Sequence, residues 1–201
     1  MPSQNNNLPA LTARQGAALV ALVRQTLAAR LKHRLSDSDR EDLHKQLCAS
    51  AFQVHCGAFV TLKIGGKLRG CIGSLTGREP LIDCVRKHAI NAALRDPRFK
   101  PLSKHELERV SVSVSVLTVP QPMEYVDAED LLAKLRPGVD GVTIRKQIAS
   151  ATFLPQVWEQ LPVKENFLAQ LCLKAGLPAG EWRKSQLEVE TYQAQYFGEP
   201  D

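Results

Sequence analysis

The run RVSVSVSVLTV, Arg109 to Val119, constrains the fold more than any other stretch of the chain. Val110, Val112, Val114 and Val116 recur at every second residue, which puts all four on one face of a β-strand and cannot be drawn as a helical stripe. A strand with one apolar face needs strands beside it and an apolar layer over it. The sequence offers both.

The neighbouring strands are written in GAFVTLKIGGKLRGCIG, where two apolar, β-branched runs flank Gly65-Gly66, a pair suited to a turn with φ > 0. Gly141 to Phe153 reads as a further strand pair, and SQLEVETYQAQYF, Ser185 to Phe197, alternates as a last strand. The covering layer comes from helices. Val20, Val23, Leu27 and Leu31 make the buried stripe of one that runs from Thr12 to about His33. Leu81, Val85, Ala89 and Ala92 do the same for a helix opened by Pro80 and stopped at Asp96-Pro97. Ser103 and Glu106 form a capping box for a short helix, Asp127 caps another through Leu135, and a helix from Leu161 to Ala175 ends at Gly176. Hairpins and helices are mixed rather than strictly alternating, so the expected class is α+β with mostly antiparallel sheets and flanking helices.

At 201 residues and 44% hydrophobic composition, the chain can bury a full core. It has no internal repeat and no low-complexity linker, so residues 8–199 read as one domain behind a polar tail at 1–7. The apolar run Ala17 to Val23, held between Arg14 and Arg24, is too short to span a bilayer, and the expected location is cytoplasmic with no membrane partner. Cys48, Cys56, Cys71, Cys84 and Cys172 are an odd number without a CxxC pair, which supports neither a disulfide framework nor a structural metal. Charge is uneven: ten Lys/Arg face three acids between Thr61 and Lys104, a local +7 in a chain of net +5. Such a segment suits an anionic small ligand or partner, or is a solvated face. Phe99 is its one aromatic residue, which disfavours nucleic acid, where stacking rings would be interleaved with the charges.

The candidate chemistry centres on RGCIG. Gly70 and Gly73 permit unusual backbone angles and let a ligand or another backbone approach, which would leave Cys71 accessible, with Arg69 beside it to favour a thiolate. The competing reading makes Cys71 a small core residue and the glycines a bulge. In RDPRF, Asp96 can hold Arg98 by a bidentate pair; Arg98 then binds a carboxylate or phosphate, or merely braces the helix exit. Cys84 and His88 lie at i, i+4 on one helix face, a spacing read as packing plus a surface imidazole rather than a metal site. No cofactor is implied: GxxxxGK[ST], GxGxxG, HExxH and GxSxG are all absent.

Taken together, FVTLKIGGKLRGCIGSL, EPLIDCVRKHAINAALRDPRFKPLSKHEL, VSVSVLTVPQPM, TFLPQVW and FLAQLCLKAGLP resemble the AMMECR family over nearly the whole chain, with LRGCIG as the signature. The resemblance implies two unequal subdomains, the larger built from both chain ends and the smaller from the middle. It also implies a cytosolic component that works with a Memo-like protein and a radical SAM enzyme, the AmmeMemoRadiSam system, without an agreed reaction. Carried over onto this sequence, the motif positions are Arg69, Gly70, Cys71, Ile72 and Gly73, then Asp96, Arg98 and Phe99, and more loosely Gln156 and Lys174. On the same resemblance Ser113 is a departure, since prokaryotic relatives often carry an acid ahead of VSVL. Two classes follow: an enzyme or enzyme subunit that uses Cys71 as a reactive thiol in an Arg-lined cleft, or a non-catalytic module that holds an anionic ligand or a partner. The reading leans to the second, because no companion base stands at a recognisable spacing; a nucleic-acid-binding regulator comes third.

Overall fold

The structure, a computed structural model, describes residues 10–32, 37–184 and 187–200; the polar tail expected at 1–7 lies outside them. The fold is α+β, with two four-stranded sheets whose characterised pairings are antiparallel. The chain forms two compact units, one from residues up to Val119 together with those from Gln195 onward, the other from Pro120 to Ala194.

In the first unit, β1 (Ala58–Ile64), β2 (Lys67–Ser74), β3 (Val110–Leu117) and β8 (Ala194–Gly198) lie in the order β2-β1-β3-β8. The Gly65-Gly66 turn has φ of 56° and 73°, as the glycine pair predicts. Val60, Leu62, Val112 and Val114 are at most 1% exposed and share one core with the buried faces of α1 (Ala13–Arg30), α2 (Asp37–Leu47) and α3 (Leu81–Leu94). Each such side chain contributes about 1.5–3 kcal/mol of burial. Thr12 and Gln15 make a capping box at the start of α1 that the sequence reading had not singled out. Ser103 and Glu106 make the expected one at α4 (Lys104–Leu107).

The serines between the valines of β3 are buried as well, Ser113 at 7% and Ser115 at 5% exposure. As an interior strand β3 has neighbours on both sides, with Thr61 directly opposite Ser113 and Phe59 opposite Ser115. One expectation changes: the single last strand is two, β7 (Glu188–Tyr192) and β8, which belong to different sheets. Alternation reports only that a residue run is extended; it does not name the sheet in which the run finds partners.

The second unit pairs β7 with β4 (Gln121–Pro122) and with β5 (Gly141–Lys146), which in turn pairs with β6 (Ala149–Phe153). Its core joins Leu131 of α5 (Ala128–Lys134), Phe167 and Leu171 of α6 (Lys164–Lys174), and Trp182 of α7 (Glu181–Lys184). Trp158 stacks on Phe167 with ring centroids 3.7 Å apart.

Candidate binding site

The signature strand β2 is irregular where the sequence is most distinctive. Leu62 pairs with Gly70 and Lys63 with Leu68, so Arg69 is the extra residue of a β-bulge, a device that re-aims a side chain. Its guanidinium turns to Glu106 of α4, with Nε donating to Oε1 at 2.8 Å and Nη2 to Oε2 at 3.1 Å. Glu106 is itself anchored, since Oε2 accepts from the Ser103 N–H and hydroxyl at 2.9 Å each. The Arg69 fork is the largest cause that holds the Glu106 carboxyl down at about 2. The remaining nitrogen, Arg69 Nη1, is buried and has no partner.

One residue pair along the strand, Cys71 faces Thr61 of β1. The Thr61 hydroxyl donates to Cys71 Sγ at 3.2 Å, and the thiol is half-buried. The backbone of Cys71 points the other way, to the open edge of the sheet, where its N–H donates to Asp96 Oδ2 at 2.9 Å and its carbonyl accepts from Arg98 Nη2 at 3.1 Å. Asp96 and Arg98 therefore offer β2 one acceptor and one donor, as a further strand would, and so shield the edge. They also bind each other: Arg98 Nε donates to Oδ1 at 2.9 Å and Nη2 to Oδ2 at 2.7 Å. The Asp96 side chain is 1% exposed and that of Arg98 53%. The Asp96 carboxyl is held well below the usual carboxylate range, chiefly by the Arg98 hydrogen bonds and further by the Cys71 and Arg98 N–H groups. The Arg98 guanidinium is raised in return, first by Asp96, with smaller contributions from the Cys71 thiol. Phe99 completes the patch, its ring centroid 5.9 Å from the Arg69 guanidinium carbon and 5.5 Å from that of Arg98.

The glycines of the signature have another explanation than ligand access. Neither has the positive φ found at Gly65, Gly66, Gly138 and Gly176. A Cβ on Gly70 would overlap the carbonyl oxygen of Ala92 in α3, and one on Gly73 would overlap the Phe59 ring and the Ala58 carbonyl. Close backbone approach accounts for both. Ile72 packs against the first core. RGCIG thus serves the joint between α3 and the sheet as well as the patch.

His88 departs from the surface imidazole expected of it. It is 6% exposed, with Nε2 3.2 Å from Ser74 Oγ and Nδ1 unpartnered, and burial lowers its pKa. Cys84, 1% exposed, stands 3.9 Å from the same hydroxyl. No group of three or more His, Cys, Asp or Glu among the described residues could hold a metal ion. Among those residues no imidazole is hydrogen-bonded to Cys71 Sγ, whose partner is Thr61.

Gln156 and Lys174 belong to the second unit. Lys174 Nζ donates to the Thr152 carbonyl at 2.9 Å and lies 4.9 Å from the centre of the Phe153 ring, which ties α6 to β6. Gln156 Oε1 is buried without a partner. Thr61 and Glu106 complete the patch of the first unit, and neither stood out in the sequence as a site residue.

The sequence model of the AMMECR1 family matches residues 20–197. A protein of Methanothermobacter thermautotrophicus is 37% identical over 190 residues, covering 92% of this chain and 94% of that one. One of Thermofilum pendens is 36% identical, covering 94% and 92%. The crystal structure of an uncharacterized protein from Pyrococcus horikoshii superposes with a TM-score of 0.80 at 34% identity, over 94% of this chain and 93% of that one. No helix among the described residues is long and apolar enough to cross a membrane.

Proposed function

The chain belongs to the AMMECR1 family, and from that premise we propose that it is a cytosolic binding component, not a catalyst, whose Arg69–Phe99–Arg98 patch beside Cys71 receives a ligand or a polar group of a partner protein. The partners are those the family resemblance implies, a Memo-like protein and a radical SAM enzyme. The observation that carries the reading is the way the arginines are held. Each guanidinium is gripped by an anchored carboxylate through Nε and Nη2, and Arg69 Nη1 is left buried without an acceptor. A buried donor in that condition costs about 1–3 kcal/mol, which an incoming oxygen would relieve.

Isothermal titration of the intact chain with a purified Memo-like protein or radical SAM enzyme tests this. Binding to one of them is expected, and Arg69→Gln and Phe99→Leu should each weaken it about tenfold, the loss of one charge-assisted or well-packed contact. Affinities unchanged in both variants, with melting temperatures intact, would remove the patch from the function.

A second reading, an enzyme with Cys71 as reactive thiol, is favoured by one observation: Sγ receives the Thr61 hydroxyl. Cys48 is exposed and serves as an internal standard. On this reading the half-buried Cys71 should react with iodoacetamide faster than Cys48, and Thr61→Val should slow Cys71 severalfold while leaving Cys48 unchanged. A Cys71 slower than Cys48 and indifferent to Thr61→Val would mark it as packing.

A further inference from the structure

We propose that the Arg69–Phe99–Arg98 patch selects a ligand group with one planar oxygen acceptor, a single carboxylate or an amide carbonyl, and discriminates against phosphate-class polyanions. This rests on the binding reading above and names the chemistry that the patch takes.

The first argument is charge. Two guanidinium ions stand against two carboxylates, Arg69 with Glu106 and Arg98 with Asp96, so the four groups sum to zero. Both carboxyls are held ionised, far below their ordinary range, which keeps the balance at neutral pH. The four groups themselves therefore bring no net positive charge to the patch. Arg86 and Lys87 are likewise matched by Asp83 and Glu79. A dianion gains little Coulomb energy from a neutral quartet, whereas a hydrogen bond to one nitrogen does not depend on net charge.

The second argument is valence. The Nε/Nη2 fork, the face of arginine that takes carboxylate or phosphate with two parallel bonds, is occupied on both side chains. Outside those bonds each keeps Nη1, a single nitrogen that suits a single oxygen. A tetrahedral phosphate, with three oxygens to satisfy, would leave most of them unmatched.

The third is shape. Arg69 Nη1 is buried, so an oxygen meets it only where the patch yields locally, which a slender group asks least of, and the Phe99 ring beside both guanidiniums supplies a flat apolar wall. Carboxylate and amide groups are flat as well.

Glu106 provides the decisive variant. Glu106→Gln keeps the length and the capping-box oxygen of α4 but removes one negative charge and, with it, one of the two acceptors of the Arg69 fork. Sodium acetate, acetamide, inorganic phosphate and pyrophosphate would be titrated into the intact chain, with amide chemical shifts of Arg69, Cys71, Arg98 and Phe99 as readout. In the wild type, acetate or acetamide should bind at least tenfold more tightly than either phosphate probe, and the two arms tell a carboxylate from a carbonyl. Ionic strength should have little effect. In Glu106→Gln, pyrophosphate should gain about fivefold, the worth of one uncompensated charge at contact distance in water. Pyrophosphate bound more tightly than acetate by the wild type would overturn the selectivity and leave the binding reading standing. No response at these four amides to any probe would overturn both.

Discussion

Asp96→Ala is expected to lower the unfolding free energy by about 3 kcal/mol, measured as a fall in the urea midpoint at unchanged slope. The carboxylate is almost wholly buried and accepts from four donors: the N–H groups of Cys71 and Arg98 and two nitrogens of the Arg98 guanidinium. Alanine leaves the Cys71 N–H at the strand edge without its acceptor and frees the loop from β2. Because the Arg98 side chain is half exposed, its charge recovers water, which keeps the loss near the lower end of what a broken buried pair costs, roughly 3–5 kcal/mol. Arg98→Ala should cost a similar amount, since it leaves the buried Asp96 carboxylate without its countercharge although two N–H donors remain. A change within about 1 kcal/mol for Asp96→Ala, the range of a surface ion pair, would show that the edge clip is ornamental. The same groups set the acid limb. Asp96 and Glu106 have folded pKa values below their ordinary 3.8 and 4.5, so their contribution is complete above those values and is lost as pH falls through about 2 for Glu106 and lower still for Asp96. His88, with its pKa lowered by burial, adds an earlier loss that begins as pH drops below 6.5. In Asp96→Ala the steep part of the acid limb should flatten while the His88 part remains.

The contrast between Ser103-Glu106 and Asp96-Cys71 shows which parts of the patch a sequence can display. A capping box closes over three residues, so its signal is local, and Glu106 was legible as a cap. Its hold on Arg69 spans 37 positions and was not. Asp96 and Arg98, two residues apart, could be paired on sight, but their joint grip on the Cys71 backbone depends on β2 being an edge strand, a property of the sheet order. Thr61 became a partner of Cys71 only through the register of a hairpin whose one-residue bulge leaves no mark on composition. The valines of β3 announced the strand; that its serines are buried follows from the strand's interior place, which no alternation encodes. Gly65-Gly66 was legible because a turn needs positive φ locally, whereas Gly70 and Gly73 stayed open between ligand access and close backbone approach because the atoms that exclude their side chains belong to β1 and to α3.

Gly70→Ala should destabilise the chain by about 3 kcal/mol, toward the upper end of overpacking effects, because the atom that an added methyl would strike is main chain. The carbonyl of Ala92 sits in the last turns of α3 and cannot swing aside as a flexible side chain would. Relief requires the helix to move off the sheet, and that helix buries Val85, Ala89 and Ala92 against the core shared with β1 and β3. Gly66→Ala is the control: Gly66 has φ of 73° and open space around it, so the cost there, about 1 kcal/mol, is local backbone strain. The two variants separate on a second measurement. α3 runs directly into Arg95 and the Asp96–Phe99 loop, so its displacement should draw Asp96 and Arg98 from Cys71, and the Cys71 amide should exchange with solvent much faster in Gly70→Ala than in Gly66→Ala. Equal stability losses in the two variants, or a Cys71 amide equally protected in both, would mean that close packing of α3 on β2 does not hold the patch together. If the amide is lost with the helix, the signature glycine and the arginine patch are one mechanical unit, which is the physical reason for LRGCIG and RDPRF to occur in one chain.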